Sequence, residues 1–260
     1  MKTAFFTFEQ FHRKKDIGSS RIRADWLIKN WGKGKAERYR DGENYDAIIF
    51  QKVYWVEYAK IFKGIKILDL CDADFLDWAC RIKEMIEECD GITTSTEALA
   101  EVIRKYTDKP VRCIPDRVDM DYHSQKKIHS GEAKKAVWFG YAQNQKTIES
   151  VLPLLVQHKL GLIVVSNMPF IMPITYMGRV ELINYPWSVK TANDDIIKAD
   201  FVINPTFKYG NWQFKSNNKT LTAWALGMPV ANTPDEVKRF MDEGERKKEA
   251  EIRLKETGLS

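Results

Sequence analysis

Short apolar runs recur along the chain, separated by segments with a helical pattern. The runs "DAIIF" (residues 46–50) and "KILDL" (residues 66–70) are apolar nearly throughout, without the alternation of a half-exposed strand. Such runs are typical of parallel strands that are covered on both faces of a sheet. The pattern therefore predicts an α/β fold in which helices alternate with parallel strands.

This alternation occurs twice. In the first half, strands are predicted at 4–8, 47–51, 66–70, 91–94 and 111–115, and helices near 21–31, 53–62, 75–88 and 96–106. In the second half, strands are predicted at 136–139, 162–166, 180–184, 201–204 and 230–232, and helices at 145–158, 189–199 and 217–226. The segment between the halves, 121–135, is polar, lacks periodicity and is rich in turn formers, which predicts a linker.

We therefore predict two Rossmann-like, doubly wound domains, residues 1–122 and 133–235, each with a ligand crevice at the carboxyl ends of its strands. The remaining residues, 236–260, are dense in charges with opposite signs four positions apart, which predicts a charged, solvated helix. The segment 166–177, "SNMPFIMPITYM", is apolar and contains two prolines. We predict a buried irregular connection there in preference to a membrane contact, because the prolines oppose a continuous amphipathic helix.

The composition is that of a globular protein. The chain has 260 residues, of which 44% are hydrophobic and 30% charged. No run approaches the roughly 18 apolar residues of a membrane helix, and the start, "MKTAFFTFEQ", lacks a signal-peptide layout. We expect a cytoplasmic location and no integral membrane segment. The net charge of +5 favours anionic partners such as nucleotides, nucleic acid or a membrane surface, although many proteins of this charge bind no polyanion.

Several classes of chemistry lack their sequence signatures. The four cysteines form no CxxC pair and the four histidines no HExxH motif, so we expect buried free thiols, no zinc site and no other metal. A nucleophile elbow, a Walker lysine motif and GxGxxG are also missing. We expect no bound cofactor.

Two candidate sites follow strands of the first half. Gly18, Ser19 and Ser20 precede a predicted helix with Arg21 and Arg23 in its first turn. Small residues there admit a ligand, and the two guanidinium groups are suited to meet a carboxylate or phosphate. A capped helix start is the alternative. Asp69, Asp72 and Asp74, at the carboxyl end of the strand at 66–70, are three close carboxylates suited to bind a divalent metal, accept from sugar hydroxyls or act as a base. Helix capping is the alternative for Asp72 or Asp74.

The second half contains two candidate anion-binding segments. In "VWFGYAQNQK", Lys146 lies six residues after Gly140, at the start of a predicted helix. In "KSNNKTLTAWALGMPV", polar and basic residues occupy the start of another helix, where backbone N–H groups are free and the helix dipole is positive. These residues are Lys215, Ser216, Asn217, Asn218 and Lys219. We predict that the two segments bind an anion.

Three stretches together carry a family resemblance. They are "CDGITTSTEALAEVIRKYTDKPVRCIPDRVD" (residues 89–119), "WFGYAQNQK" and "ADFVINP…KSNNKTLTAWALGMPVANT". In order and spacing they resemble group 1 (family 4 type) nucleotide-sugar glycosyltransferases of the GT-B fold, over roughly residues 85–235 of a chain that is short for that family. The resemblance implies two Rossmann-like domains facing a cleft. It also implies a C-terminal donor domain, an N-terminal acceptor domain and retaining, metal-independent transfer.

The resemblance also assigns donor-site residues. Lys146 matches the family's diphosphate lysine, while Tyr141, directly after Gly140, stands where an arginine is usual. Thr222 replaces the glutamate that usually holds the donor ribose, and a threonine cannot duplicate the charge-assisted hydrogen bonds of a carboxylate. We expect Lys215 and Lys219 to supply the charge that Tyr141 lacks. The nucleotide base is expected to lie against Tyr185 or Trp187, although both rings are equally consistent with core positions.

The resemblance, together with the candidate sites, therefore implies a glycosyltransferase, either hexosyl or pentosyl, with Asp72, Asp74 and Lys146 as the expected catalytic residues. A nucleotide-diphosphate sugar is the co-substrate, and the acceptor enters beside Gly18, Ser19, Ser20 and Arg21. Modified DNA, as used by short viral enzymes of this kind, or another small or polymeric hydroxyl compound is the expected acceptor. The alternative is a non-catalytic binding protein that kept the fold, which the missing donor-site carboxylates favour.

Overall fold

The apolar runs form the strands of two separate parallel sheets. The structure is a computed structural model that describes residues 1–32, 34–76 and 81–258, apart from the side chain of Asp74. The chain divides into two compact units. The first unit comprises Met1–Arg117 and Lys208–Ser216, and the second comprises Val118–Phe207 and the chain from Asn217 onward.

The first unit is built on a parallel sheet, six of whose strands lie in the described residues. They are β1 (Thr3–Thr7), β2 (Ala36–Arg38), β3 (Ala47–Gln51), β4 (Ile65–Leu70), β5 (Gly91–Thr94) and β6 (Val111–Cys113). Their order is β2-β1-β3-β4-β5-β6 and every adjacent pair is parallel. Several apolar side chains of the central strands are completely buried, as with Ile48, Phe50 and Leu68. This burial explains the unbroken apolar runs of the sequence.

Helices connect these strands. In chain order they are α1 (Phe8–Phe11), α2 (Gly18–Ser20), α3 (Trp26–Asn30), α4 (Val56–Ile61), α5 (Ile82–Glu88) and α6 (Glu97–Ile103), with a π-helical turn at Arg21–Asp25 between α2 and α3. A short 3₁₀ turn, Asp74–Leu76, follows β4. Helix α6 starts where the sequence indicated, because the Thr96 side chain accepts a hydrogen bond from the backbone N–H of Leu99.

The second unit has a parallel sheet with five strands in the described residues. They are β7 (Lys135–Phe139), β8 (Gly161–Ser166), β9 (Leu182–Pro186), β10 (Phe201–Ile203) and β11 (Val230–Ala231). Their order is β11-β10-β7-β8-β9, so β7 lies at the centre and β9 at an edge. All six residues of β8 are buried. Apolar clusters cover both faces of this sheet, as expected for a doubly wound domain.

The helices of the second unit are mostly short. They are α7 (Leu152–Gln157), α8 (Ala192–Ile196), α9 (Asn218–Ala225), α10 (Pro234–Arg239) and α11 (Glu243–Thr257), with 3₁₀ turns at Ala142–Val151 and Ile174–Tyr176. In the described part of the chain, no helix combines the length and the apolar character needed to cross a bilayer.

Helix α11 is only partly the solvated helix that its charges predicted. The side chain of Arg246 is completely buried and donates to the main-chain carbonyls of Phe240, Met241 and Gly131. The expected pairing of opposite charges does occur on its outer face, where the Lys247 ammonium contacts the Glu243 carboxylate. The buried arginine therefore anchors this helix to the second unit.

The apolar segment after β8 differs from the prediction of a buried connection. Phe170 and Met172 are buried, and the Asn184 side chain bonds both the N–H and the carbonyl of Phe170. The residues between and beside them point outward, with Ile171 81% and Ile174 84% exposed. The segment therefore has one side packed inward at Phe170 and Met172 and the other side open to solvent.

Residues 208–216 belong to the first unit, although they lie between β10 and α9 in sequence. A 3₁₀ turn, Gly210–Phe214, places the Phe214 ring in the apolar core of the first unit. The Thr96 hydroxyl donates to the Phe214 carbonyl over 3.3 Å. This ring is 7% exposed, so it is part of the core of the first unit.

Candidate functional site

The clearest candidate site lies at the carboxyl end of β7 in the second unit. Gly140 directly follows this strand with a φ of 148°, and its N–H donates to the Val165 carbonyl over 3.1 Å. A Cβ at this position would lie 2.9 Å from both Cε and Nζ of Lys219. Because glycine has no side chain, the lysine can lie against the backbone here. Glycine is also the usual residue where a ligand must approach the main chain closely.

The Lys219 ammonium is further oriented by an aromatic ring. It lies 4.2 Å from the centroid of the Trp138 ring, which is completely buried in β7. A cation over an indole face is attracted by the ring quadrupole. The ammonium is therefore held at the end of the strand by the ring on one side and the Gly140 backbone on the other.

Lys219 is also in the first turn of α9. The N-cap residue, Asn217, forms no side-chain capping bond to this helix, and Asn217 is exposed. The Nδ2 group of Asn218 is buried and has no hydrogen-bond partner among the described residues. The first-turn N–H groups, the helix dipole and the ammonium together make a site with the positive potential that an anion needs.

The segment that contains Lys146 follows β7. Tyr141 is 39% exposed and begins a turn that is fixed at two points: the Ala142 N–H donates to the Asn167 side chain, and the Gln145 side chain donates to the Met168 carbonyl, each over 2.8 Å. The ammonium of Lys146 lies 5.8 Å from the centroid of the Phe207 ring. Because β7 and β10 are adjacent and parallel, the segments that follow them lie at the same edge of the sheet.

The predicted base and ribose residues lie in or beside the apolar core of the second unit. Tyr185 and Trp187 are partly buried and pack against the cluster below the sheet. The Lys198 ammonium lies 4.0 Å from the Tyr185 ring centroid. Thr222 is 8% exposed on α9, so its hydroxyl offers little surface to a ribose.

In the first unit, Asp72 lies between two lysines. Its two carboxylate oxygens accept hydrogen bonds from Lys52 Nζ over 2.9 Å and from Lys215 Nζ over 3.0 Å. Burial would raise the pKa of Asp72, but the two ammonium groups outweigh burial and hold that pKa well below its usual range. Asp72 is therefore ionised at neutral pH. Its two ion pairs connect the end of β4 to Lys52, which follows β3, and to Lys215 in the 208–216 segment.

A buried arginine, one of the two that the sequence predicted to meet a carboxylate or phosphate, lies beside this cluster. Arg23, 3% exposed, bonds the Asp69 carboxylate through Nε and Nη2 over 3.1 and 2.5 Å. Its Nη1 bonds the Ile114 carbonyl and the Asp116 carboxylate. Burial raises the pKa of Asp116 despite its contact with Arg23. The network connects the π-helical turn to the carboxyl ends of β4 and β6, and the partners of Arg23 are carboxylates of the protein itself.

The predicted acceptor residues begin α2 and the turn after it. The Ser20 hydroxyl is buried, donates to the Gln51 side chain over 3.0 Å and accepts from the Glu9 N–H over 3.2 Å. Ser20 therefore fixes α1 to the end of β3. Gly18 and Ser19 are partly exposed, and the Arg21 guanidinium lies 5.9 Å from the Trp26 ring centroid.

The predicted residues thus form separate groups. The structure brings Gly140 to Lys219 in the second unit and Asp72 to Lys215 in the first. Lys215 and Ser216 are assigned to the first unit, and Asn217 onward to the second. The side chain of Asp74 lies outside the described residues. Among the described residues, no group of three or more histidine, cysteine or carboxylate side chains is arranged to hold a metal ion.

Two α/β units, each built on a parallel sheet with helices between its strands, define the GT-B-like class of fold. No protein-family model matches the chain, and no curated protein does. Solved structures match over most of it. An alpha-glucosyltransferase in complex with UDP-glucose and DNA containing an abasic site matches with a TM-score of 0.66 at 11% identity, covering 98% of this chain and 94% of its own.

Two further structures are similar. Anabaena HepE in complex with UDP has a TM-score of 0.56 at 12% identity, covering 100% of this chain and 91% of its own. TarM has a TM-score of 0.54 at 14% identity, covering 80% of this chain and 50% of its own, so the chain spans about half the length of TarM. These likenesses confirm the predicted GT-B-like fold of two parallel-sheet domains.

Proposed function

We propose that the protein transfers a sugar from a nucleotide-diphosphate donor to an acceptor hydroxyl. The observation that carries the proposal is the contact of Lys219 with the Gly140 backbone at the start of α9. An ammonium, free first-turn N–H groups and a glycine without a side chain suit a diphosphate better than a neutral ligand. Lys146, on the segment after the same central strand, supplies a second positive charge.

The chemistry requires that negative charge be stabilised as it develops. The bond between the anomeric carbon and the diphosphate oxygen breaks, and its electron pair leaves with the diphosphate. The acceptor oxygen bonds to the anomeric carbon and its proton goes to a base. Positive groups fixed in advance beside the leaving diphosphate stabilise the transition state more than the ground state. We propose that Lys146, Lys219, Asn217 and Asn218 do this, and that transfer is retaining and independent of a metal.

The nucleotide is proposed to be uridine-based. The similar alpha-glucosyltransferase contains UDP-glucose and HepE contains UDP, so a hexose carried by UDP is the first donor to test. Tyr185 and Trp187 lie at the end of the edge strand of the same sheet and just after it, and we propose that one of their rings contacts the uracil. Thr222 replaces a ribose-binding carboxylate, which predicts weaker ribose binding than in relatives that keep it.

The acceptor is proposed to bind the predicted domain at residues 1–122, with the donor domain at 133–235 and the charged helix at 236–260. Gly18, Ser19 and Arg21 are the proposed acceptor-side residues, together with Asp72 and Asp74. Asp72 stays ionised because of its two lysines, so it accepts hydrogen bonds from a hydroxyl without first losing a proton. Modified DNA is the proposed acceptor, since the similar alpha-glucosyltransferase was seen with DNA.

The test is the double variant Lys146→Ala/Lys219→Ala. Hydrolysis of UDP-glucose and its thermal stabilisation of the protein are measured against the double variant Lys134→Ala/Lys238→Ala, which removes two exposed lysines of the same unit. We expect at least a 100-fold loss of hydrolysis and no thermal shift in the first variant, and unchanged values in the control. Full activity of the Lys146/Lys219 variant would refute the proposal.

A non-catalytic binding protein is the second candidate. The buried Thr222 in place of a carboxylate favours it, because the donor ribose then lacks its strongest hydrogen-bond acceptor. A panel of nucleotide sugars separates the two candidates. A ligand at 100 times its dissociation constant stabilises the protein by about 2.7 kcal/mol. A thermal shift without any hydrolysis or transfer would establish the non-catalytic candidate.

A further inference from the structure

Two aromatic rings are exposed together at the carboxyl end of β1. Phe11, the last residue of α1, is 39% exposed, and Trp55, just before α4, is 36% exposed. Their ring centroids lie 6.1 Å apart. We call this pair the aromatic platform. Their planes are tilted by 42°, and because each ring is more than a third exposed, each offers a surface on which a flat ligand can stack.

The platform is fixed from beneath by other rings. Trp55 stacks on Tyr58 with centroids 4.8 Å apart and planes 22° apart. The Phe6 ring, which is buried, contacts Trp55 at 5.8 Å and Phe11 at 6.0 Å. The two exposed rings are therefore held in place by the core of the first unit, and a ligand stacking on them does not have to immobilise them.

Helix α1 is anchored with the same precision. It begins with a capping box in which Thr7 and Gln10 satisfy each other's backbone and side-chain groups. The Gln10 side chain also donates to the Tyr39 carbonyl over 2.8 Å. The Phe8 N–H donates to the Gln51 side chain of β3. Phe11 is thus presented by a short helix whose start is bonded to two neighbouring segments.

Positive charge directly follows the platform in sequence. Arg13, Lys14 and Lys15 are all exposed, and the Lys14 ammonium lies 5.3 Å from the Phe8 ring centroid on α1. Of the nearby carboxylates, Glu9 lies 3.5 Å from the Arg38 guanidinium, and Asp16 ends the basic run. Three consecutive cations beside exposed rings are the combination that binds a polyanion carrying flat groups.

We propose that the aromatic platform and the cations Arg13, Lys14 and Lys15 bind single-stranded nucleic acid, with bases stacked on Phe11 and Trp55 and phosphates on the cations. A single strand fits better than a duplex because stacking on the platform requires an unpaired base. The inference rests on the proposed function, since it makes a nucleic-acid strand with an accessible base hydroxyl the acceptor class. Binding itself needs no donor and is tested separately.

The experiment measures fluorescence anisotropy of labelled 12-nucleotide single-stranded DNA, single-stranded RNA and duplex DNA with the full chain. The variants are Phe11→Ala, Trp55→Ala and the triple charge reversal Arg13→Glu/Lys14→Glu/Lys15→Glu. The control is Lys83→Glu/Tyr106→Ala, which changes another cation and exposed ring of the first unit. There the Lys83 ammonium lies 5.6 Å from the Tyr106 ring centroid, and Tyr106 is 44% exposed. Circular dichroism of each variant checks folding, and Phe11→Ala tests the platform if Trp55→Ala does not fold.

Each ring variant should weaken single-strand binding about 5- to 150-fold, the range expected when one base no longer stacks. The triple reversal should flatten the dependence of log affinity on log salt by about 0.7 for each phosphate that the cations no longer neutralise. The control should bind as the wild type does. Equal affinity for single-stranded RNA and DNA would support recognition of the bases and phosphates that both share. A preference for one of them would identify it as the acceptor class.

Three outcomes would overturn the inference. The first is no binding of any single strand by the wild type. The second is heparin binding as tight as single-strand binding, with neither weakened by the ring variants, and the third is tighter binding of duplex than of single strands. The first of these together with intact UDP-glucose hydrolysis would leave the proposed function standing. Ring-dependent strand binding with no donor response would instead refute the proposed function and keep the nucleic-acid surface.

Discussion

Substitution of Gly140 by alanine tests the donor site at the point where its geometry is tightest. The new Cβ would meet Cε and Nζ of Lys219 at 2.9 Å and the Trp138 ring at 3.3 Å. The lysine end is flexible and can move away, but the buried indole cannot. A φ of 148° adds backbone strain for any L side chain, of about 1–3 kcal/mol. We therefore expect the free energy of unfolding to fall by about 1–3 kcal/mol, and the melting temperature by about 2–4 °C for each kcal/mol.

The displaced lysine should matter more for binding than for folding. If Lys219 contacts the diphosphate, its displacement removes a charge-assisted bond of about 1.5–3 kcal/mol, which is roughly 10- to 150-fold in donor affinity. Thermal shift and isothermal titration with UDP-glucose measure both effects. Gly178→Ala is the matched control, because Gly178 also has a positive φ, 73°, but has nothing within 4 Å of the added methyl group.

Gly178→Ala should lose stability but keep the donor affinity of the wild type. A Gly140→Ala protein with unchanged donor affinity would refute the assignment of Lys219 to the diphosphate. An unchanged melting temperature of the Gly140→Ala protein would refute the tight geometry described at Gly140.

Two further predictions concern the charged groups of the first unit. Because the pKa of Asp72 is held low, its contribution to stability is present above the ordinary aspartate pKa of about 4 and is lost as the pH falls below it. Asp72→Asn should therefore flatten the fall of the unfolding free energy below about pH 4, measured by urea unfolding at each pH; parallel curves would contradict this. Arg23→Met leaves Asp69 and Asp116 buried without their cation and should lower the free energy of unfolding by about 3–5 kcal/mol, whereas urea unfolding within about 1 kcal/mol of the wild type would show that the network stabilises little.

The sequence predicted the sheets well because burial on both faces leaves a strong apolar signal. Strands β3 and β5 occur at the predicted residues, 47–51 and 91–94. Strand β2 escaped prediction because it is a three-residue edge strand, "AER", with two charged residues. An edge strand with one neighbour leaves too little apolar pattern to read.

Helices were predicted less well than strands. The predicted helix at 145–158 is a run of 3₁₀ turns up to Val151, followed by only six α-helical residues. The predicted helix at 189–199 shortens to Ala192–Ile196. In both cases the apolar residues meet the core as expected, but tertiary packing and not helix propensity determines how many turns form.

The geometry of the candidate donor site could be predicted in part. A glycine after a strand and a lysine at a helix start are visible in the sequence, whereas their contact, Gly140 with Lys219, depends on β7 lying beside the strand that precedes α9. The partners of Asp72 were not predictable at all. Lys52 follows β3 and Lys215 lies 143 residues further along the chain from Asp72, so no local pattern joins them.

The course of residues 208–216 has a consequence for how the protein can be divided experimentally. The first unit needs two separate stretches of chain, because Phe214 completes its core and Lys215 neutralises Asp72. A fragment cut after Arg117 would lack both, and a fragment starting at Val118 would carry them without their partners. We therefore expect that neither half, cut at residue 117, can be moved into another protein as a complete folding unit. The two could be expressed apart only if a circular permutation or a fused copy of 208–216 restored the missing stretch to the first half.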